Sequence, residues 1–504
     1  MANVTGKRKR QDAHPSNHVQ TKKTASTPHV NGNPAKSKPG VAAKPHIETS
    51  SPTNTGRKDV TIQIVTGSYE RALHGTCATI QAPDQENVTF ADNFLFAAHN
   101  SSIRCLALSP SSHSGKRFLA TGGSDERINL YSLSTAPPPS STIKASKISN
   151  SSLVEPLPIH NPLNRSLGNL VNHDRAITAL HFPIKSKLFS AAEDNTIAIS
   201  RARDWTVLSS IKAPIPKPQG RPSGDTAGPG EFPAGINDFA IHPSQKLMLS
   251  VGRGEKCMRL WNLMTGKKAG VLSFERDLLA QVGEGKHGSG EGRKVLWDEH
   301  GENYVIAFER GAVVFGIDSR PKAIIKPSPP TKLHALHFLP PTAESQAPST
   351  LAVSTEDGRI LFFDTSIAES TPDASKLPLL PCNAQLGGSA AGFSGRIKDF
   401  EVLTLPLAGS GQESPLAIIT GSSDGAIRLW TVPPSDLAGS SSNQSANDTA
   451  AEKTNASKQL GKLVGTLETG NRITCLGAFV MDGTAQAEVD ADAVEGDSDS
   501  EEGK

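Results

Sequence analysis

The chain has 504 residues, of which 36% are hydrophobic, 44 are glycine and 36 are proline, so an ordered core diluted by disordered segments is expected. Its formal net charge of +2 conceals ends of opposite sign. The 5 cysteines are far apart with no CxxC pair, which argues against a disulfide framework or a zinc site and fits a reducing compartment, and no apolar run is long enough to span a membrane.

Residues 1–58 carry eleven Lys or Arg against Asp12 and Glu48, with almost no large apolar side chains. Such a segment buries too little surface to offset its ordering entropy, so a disordered basic head is expected. Lys7, Arg8, Lys9 and Arg10, followed by Lys22 and Lys23, have the pattern of a nuclear import signal. The same charges would add salt-dependent, sequence-blind contact with RNA phosphate. The opening MANVTGKRKRQD lacks the apolar stretch of a secretory signal, and a soluble intracellular protein is expected.

From Val60 the texture changes to short alternating or apolar runs bounded by Gly, Ser, Asp and Pro, the signature of strands and turns. One unit then recurs: an apolar strand, a second strand ending in small residues, a turn with an acid, and a third strand ending in an aromatic. Copies lie at 102–133, 176–202, 236–263, 294–318, 332–365 and 395–432. The stretch 61–80 reads as the last two strands of a unit without its beginning, and 472–480 as a first strand without its continuation. Joined, they complete a seventh unit. The pattern predicts an all-β, seven-bladed WD-repeat β-propeller over 59–481, closed by strands from both ends so that no sheet edge is left at the seam. Stretches near 134–168, 213–235, 280–293 and 433–459 are rich in Pro, Ser, Gly or Asn and read as disordered surface insertions.

An acid stands in the tight turn of four units: Asp125, Asp194, Asp357 and Asp424. Aspartate suits such a place because its carboxylate accepts backbone N–H groups of its own turn. Tyr131, Trp261, Phe363 and Trp430 follow and are expected to pack between blades. His99 and His173 precede the first strands of their units and are expected to bond Asp125 and Asp194 as structural pairs, since no nucleophile accompanies them to make a general base. The third unit has Glu255 in place of aspartate. The fourth has neither turn acid nor terminal tryptophan and places Trp297 in its first strand.

Residues 283–294 are glycine-rich with lysines but lack phosphate-loop spacing, so a mobile loop is expected. No hydrolase, metalloprotease or kinase signature is present. The chain reads as a non-enzyme without catalytic residues, cofactor or metal. Arg104, Arg175, Arg396 and Arg472, each at or beside the entry to a first strand, mark a candidate partner-binding rim. Residues 482–504 hold nine acids against Lys504 and form a disordered acidic tail, in which Ser498 and Ser500 are candidate phosphorylation sites.

Several segments resemble, in order, one WD-repeat family: IVTGSYERALHG (64–75), FAAHNSSIRCLALS (96–109), SDERINLY (124–131), LFSAAEDNTI (188–197), IHPSQKLMLSVGRGEKCMRLWNL (241–263), GRIKDF (395–400), SSDGAIRLW (422–430) and RITCLGAF (472–479). They are similar to the maintenance-of-killer and p21-activated-kinase-interacting proteins, over roughly 60–480 less the insertions. The opening G-S-Y-E and the closing R-I-T-C-L-G discriminate more sharply than generic WD signatures. The resemblance implies a nucleolar scaffold that helps build the large ribosomal subunit and supports rRNA processing, through contacts with proteins of the pre-ribosomal particle. It also offers the alternative of a signalling adaptor that binds and restrains a p21-activated kinase. The propeller is expected to be monomeric within its complex. Family members often end in a long Lys-rich tail, whereas this chain places its basic cluster first and ends acidic.

Overall fold

The structure, a computed structural model, describes residues 59–81, 87–111, 115–138, 162–216, 234–285, 288–340, 350–366, 376–393, 395–406, 414–437 and 458–482. The import cluster from Lys7 to Lys23 and the tail serines Ser498 and Ser500 lie outside them.

The strands form seven sheets, the blades, antiparallel but for one added edge strand, and each is counted from its first strand. The first strands are Ile103–Leu108, Ile177–Ile184, Ile236–Ile241, Lys294–Trp297, Leu333–Phe338, Ile397–Thr404 and Ile473–Val480. Each touches the first strand of the blade before and after it, and the cycle closes where Ile473–Val480 meets Ile103–Leu108. The seven strands therefore wall a central channel. Blade seven is built from both chain ends, in the order Ile473–Val480, Val60–Ser68, Ala72–Ile80, Val88–Ala97. Its seam is a full ladder in which Ile64 faces Ala478 and Thr66 faces Leu476. The expected seven blades and their two-ended closure are what the sheets show.

Each blade has a fourth, outer strand, and here the structure adds to the sequence pattern. Arg165–Leu170 forms the outer strand of blade one at the end of a stretch read as insertion, and Val207–Lys212 that of blade two. Both are exposed along most of their length, so neither shows the alternation that marks a half-buried strand. Two further inserts are partly ordered. Arg276–Val282 is a short helix that buries Leu279 and Val282, so the stretch read as insertion from 280 opens inside it. Lys458–Gln459 adds a parallel strand to the edge of blade five before the chain forms the outer strand of blade six.

The core is distributed. Among the described residues there are seven buried apolar clusters, one at each junction of adjacent blades. Trp261 lies between blades two and three, Phe363 between four and five, and Trp430 between five and six. Blade four replaces the missing terminal tryptophan with a run of aromatic contacts. Trp297 meets Tyr304 edge-on at 5.0 Å, and Tyr304 stacks on Phe315 at 5.2 Å. The small residue ending the second strand of some blades also has a packing reason. A Cβ on Gly67 or Gly122 would come within 2.6 Å of Ile103 or Ile177, the first residue of the next blade.

Candidate protein-binding face

Local strand chemistry sets the geometry of one channel mouth. In blades one, two, three, six and seven the pairing of the first strand slips between its first and third residues. The residue between them, Arg104, Thr178, Asn237, Lys398 or Thr474, is the unpaired member of a β-bulge, a device that re-aims a side chain. These residues and the strand entries beside them ring the mouth, together with the turns between second and third strands.

In six of the blades those turns are locked in one of three ways. In blades one and two the lock is an imidazole. His99 Nδ1 lies 2.9 Å from Asp125 Oδ1 and its Nε2 2.9 Å from Thr121 Oγ1. His173 Nδ1 lies 3.1 Å from Asp194 Oδ2 and its Nε2 2.8 Å from Ser190 Oγ. Burial pushes both carboxyls up, but backbone, hydroxyl and imidazole partners outweigh it. Asp125 ends below the usual range and Asp194 is held down at about 2. In blades three, five and six the lock is a third-strand arginine. Arg359 Nη2 is 2.6 Å from Asp357 and Arg428 Nη2 is 3.0 Å from Asp424, while Arg259 forks onto Glu255. The sequence reading missed these arginines, although their signal, an acid followed two or four residues later by Arg, is present. Blade four borrows its acid: Glu284, beyond the short helix, accepts the backbone N–H groups of Glu309 and Arg310 at 2.8 and 3.2 Å.

The four rim arginines differ in their surroundings. Arg104 is bound to Glu193 at 2.7 Å, and Arg253 shares the same carboxylate at 3.1 Å. Arg175 is exposed at the entry to blade two. Arg396 pairs with Glu356 at 3.3 Å and remains half exposed. Arg472 is exposed, with its guanidinium 5.7 Å above the ring of Tyr69. Lys332 and Lys398, which the sequence reading did not single out, stand on the same rim. Lys332 pairs with Glu309 at 2.8 Å, whereas Lys398 makes no ion pair among the described residues.

Behind the mouth, a cavity of about 350 Å³ opens in the channel wall, with Asp238, Lys294, His337 and Asp399 among its lining residues. Asp238 accepts the N–H of Val295 at 3.1 Å and Asp399 that of Leu476 at 2.9 Å, so each straps its blade to the next. Burial pushes Asp399 up to about 6 and, with Asp399 beside it, Glu401 up to about 8. Burial also drives His337 down to about 4, leaving it neutral at pH 7. Among the described residues no group of three or more His, Cys, Asp or Glu is placed to hold a metal ion. No described helix is long and apolar enough to cross a membrane.

The family model described as "WD domain, G-beta repeat" matches residues 92–132. Those residues start on the outer strand of blade seven and run through the first three strands of blade one, so the repeat in sequence is offset by one strand from the blade in space. The protein called "p21-activated protein kinase-interacting protein 1-like" from Xenopus laevis is 23% identical over 434 residues, covering 86% of each chain. Its namesake from Danio rerio is 24% identical over 370 residues, 73% of each chain. "Protein MAK11" from Saccharomyces cerevisiae is 25% identical over 401 residues, 73% of this chain and 77% of its own. WD-repeat propellers are generally non-catalytic scaffolds. With seven blades, a matching repeat and these relatives, the chain is a WD-repeat propeller similar over most of its length to the p21-activated-kinase-interacting and MAK11 proteins.

Proposed function

We propose that this protein is a non-catalytic scaffold in assembly of the large ribosomal subunit, acting in the nucleolus on pre-ribosomal particles and needed for rRNA processing. One observation carries the reading. The two segments that most sharply resemble the ribosome-assembly family, G-S-Y-E at 67–70 and R-I-T-C-L-G at 472–477, meet at one mouth of the propeller. The N–H of Tyr69 donates to the carbonyl of Arg472 at 2.9 Å, and that of Arg472 to Glu70 Oε2, also at 2.9 Å. Resemblance concentrated at a single surface is what a shared partner would preserve. The rim arginines Arg104, Arg175, Arg396 and Arg472 form the contact face in this reading. The head cluster supplies import and loose RNA contact, and Ser498 and Ser500 accept phosphate. A second reading, an adaptor for a p21-activated kinase, is favoured by the names of the vertebrate relatives and of "Shk1 kinase-binding protein 15" from Schizosaccharomyces pombe, 23% identical over 305 residues.

Affinity purification of the tagged full chain, followed by mass spectrometry and probing for rRNA precursors, separates the two. Large-subunit precursors and their assembly factors are expected in the eluate. A kinase recovered without precursor rRNA would overturn the ribosomal reading and favour the second. Changing all four rim arginines to alanine is expected to abolish precursor association, and undiminished association would remove the rim from the account.

A further inference from the structure

The charge around the mouth is unevenly balanced. On blades four to seven, adjacent strand entries bring Arg293, Lys332, Arg396, Lys398 and Arg472 onto one arc. Three carboxylates answer these five cations: Glu309, shared by Arg293 and Lys332, Glu356 on Arg396, and Glu70 beneath the backbone of Arg472. The arc thus keeps a surplus of two positive charges. On the opposite side, Arg104 and Arg253 converge on Glu193, with Asp174 exposed beside Arg175.

Two observations show that the surplus is unsatisfied within the fold. Lys398 is half-buried on its bulge and makes no ion pair among the described residues. Its ammonium is held below the ordinary lysine range by burial and then by Arg396 and Arg472, which outweigh the pull of Glu356. Folding has left like charges pressed together, a repulsion that an incoming anion would relieve. Beside them Tyr69 is 60% exposed with Arg472 over its ring, and exposed tyrosine paired with arginine is the composition of an interface anchor.

We propose that this arc, centred on Lys398 between Arg396 and Arg472 and flanked by Tyr69, docks an acidic peptide segment of a protein partner. The proposal rests on reading the rim as a contact face and adds the chemistry of what it contacts. A peptide is favoured over RNA because the cations lie singly on separate strand entries around a mouth with one exposed aromatic. A nucleic-acid strand would call for a continuous basic groove with successive stacking rings. Carboxylates spaced along an extended peptide match single cations spaced along an arc, and the tyrosine accepts an apolar residue between them.

The test uses the full-length protein and a fluorescein-labelled peptide of alternating glutamate and serine with one central leucine, read by fluorescence anisotropy. The triple variant Arg396→Gln, Lys398→Gln, Arg472→Gln is expected to bind about tenfold or more weakly, as loss of three partly exposed ion pairs predicts. Lys7→Gln with Lys9→Gln in the head, and Lys267→Gln on the exposed outer strand of blade three, are expected to leave affinity within about twofold. Circular dichroism and thermal melting confirm that each variant is folded. Equal affinity of the triple variant, or a loss reproduced by the head variant, overturns the proposal. So does an oligouridylate that displaces the peptide and binds the same three residues more tightly. Failure here, with precursor association still lost in the four-alanine variant, would retract the peptide chemistry and leave the contact face standing.

Discussion

A carboxylate that accepts several bonds at a turn is worth more than its charge alone, and Asp194 shows how. It receives the N–H and hydroxyl of Thr196 at 2.8 and 2.6 Å and the N–H of Asp174 at 3.1 Å, besides the imidazole of His173. Its pKa, about 2 against an ordinary 3.8, means that the folded state binds a proton less readily than the unfolded state. The stabilisation is therefore complete above about pH 4 and is lost as pH falls towards 2. Asp194→Asn is expected to lower stability by about 2 kcal/mol at neutral pH, the scale of a charged hydrogen bond. The difference from the parent protein should vanish near pH 2 in urea unfolding across a pH series. Glu401 has the opposite sign. Raised from 4.5 to about 8, it binds its proton more tightly when folded, so its contribution falls as pH rises between those values. Glu401→Gln should gain stability relative to the parent protein over that window, and a flat difference curve would show that Glu401 is not buried in the channel wall.

Among elements, the closing strand Ile473–Val480 is the most exacting. It lies between Val60–Ser68 of its own blade and the first strands of blades six and one. The N–H of Leu476 is held by Asp399, and Thr474 Oγ1 donates to the carbonyl of Ile103 at 2.7 Å. Proline at this position removes the N–H that Asp399 holds, and its ring strains the neighbouring pairs of the ladder. Leu476→Pro is expected to cost at least about 3 kcal/mol and to open the edge of Val60–Ser68. Raised amide exchange in residues 60–68 would register the opening, and unchanged protection there would contradict a seam sealed by this strand. First, second and third strands were legible in the sequence because both of their faces lie against neighbouring blades or strands, which enforces apolar runs. The outer strands of blades one, two and three were not, since Arg165–Leu170, Val207–Lys212 and Lys267–Ser273 expose most of their residues. An edge strand is fixed by the backbone donors and acceptors of its neighbour, and those leave no trace in side-chain pattern.

At the scale of the molecule, seven clusters in a cycle mean that no blade owns its core. Phe315, fully buried between blades three and four, and Leu476, between six and seven, lie in separate clusters with whole blades between them. Phe315→Ala is expected to cost about 4 kcal/mol. If the ring is one cooperative unit, it should lower the same thermal transition that Leu476→Pro lowers. Two transitions, only one of which moves in each variant, would show that blades melt independently.

The sequence by itself determined the blade count, the two-ended closure, the turn acids and the charge of both ends. Each of these is written in local chemistry: a small residue ending a packed strand, an acid in a tight turn, an apolar run of strand length. Tertiary structure alone decided which charges face one another. Glu193 and Arg104 are far apart in the chain, and so are Tyr69 and Arg472, yet ring closure and the strand-entry bulges bring each pair to the same mouth. Lys398 passed unremarked because a lysine two residues into a strand looks like any solvated charge. Only when the first strands of blades five, six and seven lie side by side does it stand among like charges with no ion pair of its own among the described residues, and that setting comes from neighbours supplied by other parts of the chain.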